Sequence, residues 1–329
     1  MSVRAIYQAA RVDGAESPYD TIHLKIYYPA EPDGSLDQIN MGAVPPRNDA
    51  QPWPVAIVMP GTNVPVESYG WLAKSLAENG IVTVLYSWIK EDMPGFICLS
   101  PGINLANLTP DTYGRAPTAS ALPALYSALQ GVNENGLLRG RLDLDTVVVG
   151  GHSAGGSVAL LNNNPAWFPW LKGCFSYGAH AAASTQLGFA DDSMLTLCDQ
   201  LPYLLIAGNR DGVIAASSFR YGDSEASGAC ERILRTFTES INSERGDCHL
   251  VSIAGANHFS LTHPADSSTG RQFLDWESEG SEEDIRSCLA ALISGFINGQ
   301  ICGDQQAASD FAESCNPANN PLIAEHHCK

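Results

Sequence analysis

The sequence predicts an α/β fold: a mostly parallel central sheet flanked by helices on both faces, with an antiparallel N-terminal edge. Three observations carry this. Short apolar runs at residues 54–59, 81–86 and 146–149 read as strands buried on both faces, the pattern of a parallel sheet. Residues 66–79 place Tyr69, Leu72, Ala73 and Leu76 at helical spacing and stop before Gly80, which makes a strand, helix, strand alternation. Residues 3–12 and 21–29 instead alternate apolar and polar side chains, as edge strands do.

The remaining elements follow in order. Residues 33–53, with Gly, Pro and Asn throughout, read as a connecting loop. Residues 91–117 are also rich in Pro, Gly and Asn and read as a loop over the active face that shapes the pocket, followed by a helix over 119–129. The aromatic stretch 164–171 reads as a packed helix-to-strand connection rather than a lipid-facing patch. Strands follow at 173–177, 201–208 and 248–253. Residues 281–300 close the fold as an amphipathic helix whose first turn carries Glu282, Glu283 and Asp284. The division is thus a catalytic domain over 1–302 and a polar C-terminal tail over 303–329, packed on the surface or partly mobile. With 44% hydrophobic residues the chain has ample material for one large core.

The most informative stretch is Gly151-His152-Ser153-Ala154-Gly155-Gly156, directly after the apolar run Thr146-Val147-Val148-Val149. A serine there sits on a tight strand-to-helix turn, with glycines two residues to either side so that neighbouring backbone can approach. A serine hydroxyl is a poor nucleophile until a neutral imidazole takes its proton, and a buried carboxylate then holds the imidazole in the useful tautomer. Both partners occur in the required chain order. Asp211 lies in the turn Asn209-Arg210-Asp211-Gly212 after one strand, and His258 in the exit loop Ala254-Gly255-Ala256-Asn257-His258-Phe259 after the next. An oxyanion hole needs two further backbone N–H groups, and Ala154, after the serine, and Thr62, in the turn Pro60-Gly61-Thr62-Asn63, are the candidates. Asn63, His152 and Phe259, which belong to these loops, are candidate substrate contacts, and so is His180, which follows the strand over 173–177 near the same rim.

These motifs resemble those of α/β-hydrolases, and within that superfamily the group of dienelactone hydrolases, platelet-activating-factor acetylhydrolases, chlorophyllases and cutinase-like polyester hydrolases. The resemblance spans about residues 22–301. It implies a serine carboxylic-ester hydrolase working through an acyl-enzyme on a small-to-medium acyl or lipid-like ester, with no metal or organic cofactor. Acyl transfer, thioester or amide cleavage and polyester hydrolysis would use the same residues, and a non-catalytic binding protein on the same scaffold is the alternative of another class. The chain departs from the cutinase-like pattern at Thr62, where an aromatic is usual, and in having no Trp over 175–184; it departs from chlorophyllases at Ala154, where Arg is usual.

A formal net charge of −18 disfavours nucleic acid and anionic membranes as partners. Nothing in the sequence has the length and apolarity of a transmembrane span. Nine cysteines lean towards an oxidised, secreted or periplasmic compartment. Met1 to Ala10 has no apolar signal core, which leans towards the cytoplasm, so the compartment stays open, as do the oligomeric state and any disulfide pairing. Cys315, His326, His327 and Cys328 match no zinc spacing, and no metal site is expected.

Overall fold

The computed structural model describes residues 2–222 and 228–329. Its elements are, in chain order, β1 Ser2–Arg11, β2 Thr21–Ala30, α1 Leu36–Met41, β3 Trp53–Met59, α2 Gly70–Glu78, β4 Val82–Ser87, β5 Ile89–Met93, β6 Phe96–Leu99, α3 Leu122–Glu134, β7 Leu142–His152, α4 Ala154–Asn162, β8 Leu171–Tyr177, β9 Tyr203–Gly208, α5 Gly212–Ala216, α6 Glu231–Arg235, β10 Cys248–Ile253, α7 Glu282–Gly295, α8 Gln305–Ser314 and β11 Ile323–Cys328.

Nine strands form one sheet in the order β1-β2-β4-β3-β7-β8-β9-β10-β11. From β4 to β10 every pairing is parallel. The pairings β1–β2, β2–β4 and β10–β11 are antiparallel. The order reverses at β3, which has β4 on one side and β7 on the other. In an open α/β sheet, the crevice beyond the carboxyl ends of the strands at such a reversal is where ligands bind. It lies here between the turn after β3 and the turn after β7.

Strand side chains alternate between two cores. Val55, Ile57, Met59, Val147 and Val149 face one side with Leu122, Leu125 and Leu129 of α3. Ala56, Val58 and Val148 face the other, with Leu72 and Leu76 of α2 and Leu289, Leu292 and Ile293 of α7. Ser281 caps α7, its hydroxyl accepting from Asp284 N–H, and the acidic first turn suits the helix dipole. The 164–171 stretch is a packed connection: Phe168 is buried, and Trp170 stacks on Tyr126 with ring centroids 4.4 Å apart. Among the described residues no helix is long and apolar enough to cross a membrane.

The structure corrects three readings. The connecting loop 33–53 carries the short exposed helix α1, capped by Ser35. The supposed loop 91–117 begins within a hairpin, β5 paired with β6. Pro94-Gly95 at its tip, with Gly95 at φ +79°, is the turn signal that sequence reasoning missed. The expected tail after Gly303 instead forms α8 and β11, the last strand of the sheet. Its polarity belongs to an edge strand, which needs few apolar side chains: Ile323 is buried while Ala324, Glu325 and His327 are exposed. Phe311 anchors α8, 1% exposed in the core against Phe296.

Phe311→Ala should therefore cost about 3–5 kcal/mol of stability. Urea unfolding checks this, and a loss under about 1 kcal/mol would mean that the C-terminal segment is not part of the core.

Candidate active site

Ser153 is the hinge between β7 and α4. Its backbone has φ +54° and ψ −124°, a region that non-glycine residues rarely occupy. Surrounding bonds hold it there: its N–H donates to Tyr177 O at 3.0 Å, and its carbonyl accepts from Ser157 N–H at 3.0 Å. Close backbone approach explains the flanking glycines. A Cβ on Gly151 would lie 2.5 Å from the Gly155 carbonyl carbon, and one on Gly155 would lie 2.3 Å from Met59 O. The start of α4 is thereby seated on the end of β3, which brings the Ala154 N–H beside the turn that holds Thr62.

That turn has one amide to spare. Gly61 N–H donates to the Tyr69 hydroxyl at 2.9 Å, and Asn63 N–H donates to Leu99 O at 2.9 Å. Thr62 N–H has no partner among the described residues, and the same holds for Ala154 N–H. Asn63 adopts φ +59° and its side-chain oxygen accepts from Leu99 N–H at 3.0 Å, which ties the turn to β6.

Asp211 and His258 meet in the interior. His258 Nδ1 is 2.7 Å from Asp211 Oδ2, with side chains 2% and 0% exposed. A carboxylate only accepts, so Nδ1 carries the proton and Nε2 is left as the basic nitrogen. Asp211 Oδ1 accepts from Ile214 N–H at 2.8 Å, which fixes the carboxylate at the start of α5. Two supporting residues escaped the sequence reading. Gly178, at φ +57°, makes room for the pair, since a Cβ there would lie 2.9 Å from His258 Nδ1 and 3.0 Å from Asp211 Oδ2. Asp275 accepts from the N–H groups of His258 at 3.2 Å, Phe259 at 3.1 Å and Gly212 at 3.0 Å, joining the His258 loop to the Asp211 loop. No short motif announces either.

His152 is buried and doubly bonded. Its Nε2 lies 2.9 Å from the carbonyl oxygen of His258, and its Nδ1 lies 2.8 Å from the Tyr69 hydroxyl. Because a carbonyl cannot donate, Nε2 bears the proton and Nδ1 accepts from Tyr69. The chain of donors therefore runs Gly61 N–H to Tyr69 Oη, Tyr69 O–H to His152 Nδ1, and His152 Nε2–H to His258 O. Burial holds the His152 pKa well below its ordinary 6.5, with the nearby His258 adding to the effect. His180 is buried too, its ring edge-on to Tyr221 at 4.7 Å and its Nδ1 accepting from Ala182 N–H at 3.2 Å. Burial pushes its pKa down to about 3, helped by Arg232, His258 and Arg271.

Ser153, His258, Thr62, Ala154, His152 and His180 all line one cavity of about 610 Å³, and Asn63 and Phe259 line it as well. Phe259 packs edge-on against the rings of His258 at 5.2 Å and His152 at 5.7 Å. Leu105, Leu108, Leu161, Leu187, Phe189 and Leu195 supply apolar wall. The volume suits a small organic ligand. Among the described residues no hydrogen bond joins the Ser153 hydroxyl to His258, although both residues line the cavity. Nor does any cluster of three or more His, Cys, Asp or Glu among them have the arrangement to hold a metal ion.

No protein-family profile matches this chain, and a search of curated proteins finds no match.

Three buried histidines, His152, His180 and His249, have pKa values lowered chiefly by burial, His249 to about 4. The unfolded chain binds protons at these positions near the ordinary value of 6.5 while the native state does not. Their contribution is thus fully present above pH 6.5 and lost on acidification, at about 1.4 kcal/mol per pH unit for each histidine. Urea unfolding at pH 7 and pH 5 should show this fall; equal stability at both would contradict the neutral, buried assignment.

Proposed function

We propose that this chain is a serine carboxylic-ester hydrolase with an α/β-hydrolase fold, acting through an acyl-enzyme on a small-to-medium acyl or lipid-like ester. The observation that carries the reading is the buried 2.7 Å contact of His258 Nδ1 with Asp211 Oδ2, in the cavity that Ser153 also lines. A histidine whose Nδ1–H is engaged by a carboxylate presents Nε2 as a base, which is what a neighbouring serine requires. The unpartnered N–H groups of Thr62 and Ala154 on the same wall support the reading, since an oxyanion needs preorganised donors.

In this mechanism the ester carbonyl enters with its oxygen towards the Thr62 and Ala154 amides. His258 Nε2 takes the Ser153 proton as Oγ attacks the carbonyl carbon. Asp211 stabilises the imidazolium, and the two amides stabilise the tetrahedral oxyanion. His258 then protonates the leaving alcohol, and the acyl group remains on Ser153. Water, deprotonated by His258, attacks the acyl-enzyme in the second half, releasing the acid and restoring the serine. The apolar wall from Leu105 to Leu195 accommodates the hydrocarbon of the acyl or alcohol part.

Release of p-nitrophenol from acetate, butyrate, octanoate and palmitate esters tests the proposal. Ser153→Ala should lower kcat/KM by about a thousandfold or more, and Asp211→Asn should cause a loss of comparable order by presenting the wrong tautomer. Equal activity in the parent and Ser153→Ala proteins, or none in either, would overturn it.

A further inference from the structure

The cavity wall carries a positive charge that the reaction above does not use. Arg271 and Arg220 both line it. Arg271 follows Gly270, where a Cβ would lie 3.8 Å from Asn63 O and 3.9 Å from Thr62 O, so it stands next to the turn that offers the Thr62 amide. One of its guanidinium nitrogens, Nη1, donates to Ser217 Oγ at 3.0 Å, and that hydroxyl is anchored by donating to Val213 O at 2.6 Å. Its remaining donors have no partner among the described residues, and no carboxylate among them forms an ion pair with either arginine. Burial and the neighbouring Arg220 disfavour the Arg271 charge, and Tyr221 and Asp211 favour it to a lesser degree, so a bound anion would find a cation that is only partly balanced.

The cavity's acidic residues are already satisfied. Asp92, the one carboxylate among the described lining residues, is 3.0 Å from Lys90 Nζ and accepts from Ser100 Oγ at 2.8 Å. Asp211 is engaged by His258. In a chain of net charge −18, a half-buried Arg271 and an exposed Arg220 on the wall of one cavity, neither of them ion-paired among the described residues, make a local reversal of sign. A guanidinium fork matches a planar carboxylate in two parallel hydrogen bonds, and a partly desolvated site strengthens them.

We infer that the cavity is built for an ester that also carries a free carboxylate, such as the half-ester of an aliphatic dicarboxylic acid, with Arg271 as the principal carboxylate partner and Arg220 as the second. This rests on the hydrolase reading for the ester but not for the anion. The aliphatic wall would hold the methylene chain between the two ends of such a molecule.

Acid release from monoethyl adipate and from ethyl hexanoate, followed by pH-stat, compares a carboxylate with its apolar counterpart. A charge-assisted hydrogen bond is worth about 1.5–3 kcal/mol, so kcat/KM should favour the half-ester by about ten- to a hundredfold. That preference should fall to within about twofold of unity in Arg271→Gln, be partly kept in Arg271→Lys, and be reduced less in Arg220→Gln. Calorimetric binding of adipate to Ser153→Ala, with and without Arg271→Gln, reads the anion site without turnover. Hydrolysis with no preference, or with a preference that survives Arg271→Gln, overturns the inference. If neither ester is cleaved but adipate binds through Arg271, the carboxylate site stands and the hydrolase reading falls. If neither cleavage nor binding occurs, both fall.

Discussion

The first turn of α4 lies against the end of β3 with no space for a side chain between them, and much of the site depends on that contact. With Gly155 at the crossing, the helix starts directly above Met59 and Pro60. The chain must then leave β7 through Ser153 in a backbone region that a serine seldom adopts, held by Tyr177 O on one side and Ser157 N–H on the other. Two consequences follow from one close approach. Ser153 comes to line the cavity at the crevice where the strand order reverses, and Ala154 and Thr62, whose amide the turn's own bonding leaves unused, line the same cavity.

His152 couples this arrangement to the histidine loop. It belongs to the same turn as Ser153, yet its ring spans the gap between Tyr69, which holds the Gly61 amide, and the backbone oxygen of His258. All three loops that carry the proposed machinery are therefore connected through one neutral imidazole. Burial keeps it neutral, and neutrality is required, because a doubly protonated ring would lose its acceptor for the Tyr69 hydroxyl. Asp275 performs the complementary task on the far side, gathering amides from the His258 and Asp211 loops onto one carboxylate.

Much of this was legible in the sequence, and what was not had physical reasons. Buried parallel strands announce themselves as unbroken apolar runs, so β3, β4, β7, β8, β9 and β10 and the turns after them could be found, and with them Ser153, Asp211 and His258. Local signals were weaker where burial is one-sided. β11 reads as polar because only one face of an edge strand is covered, and β5 and β6 were absorbed into a loop although Pro94-Gly95 marks their turn. Gly178 and Asp275 act through distances that arise only on folding: one as the absence of a Cβ beside the His258–Asp211 pair, the other as a carboxylate reached from amides of two other loops. The tasks of His152 and Asn63 also came out differently. Placed by the sequence as candidate substrate contacts, both line the cavity, but the two ring nitrogens of His152 and the side-chain oxygen of Asn63 hold loops.

The proposed chemistry makes a covalent demand on one atom. If Ser153 Oγ is the nucleophile, a brief incubation with p-nitrophenyl acetate followed by acid quenching and peptide mass spectrometry should find a single acetyl group on Ser153. The modification should be absent from Ser153→Ala and build up when deacylation is slower than acylation. An acetyl group located on another side chain, with turnover intact in Ser153→Ala, would contradict the account at its centre.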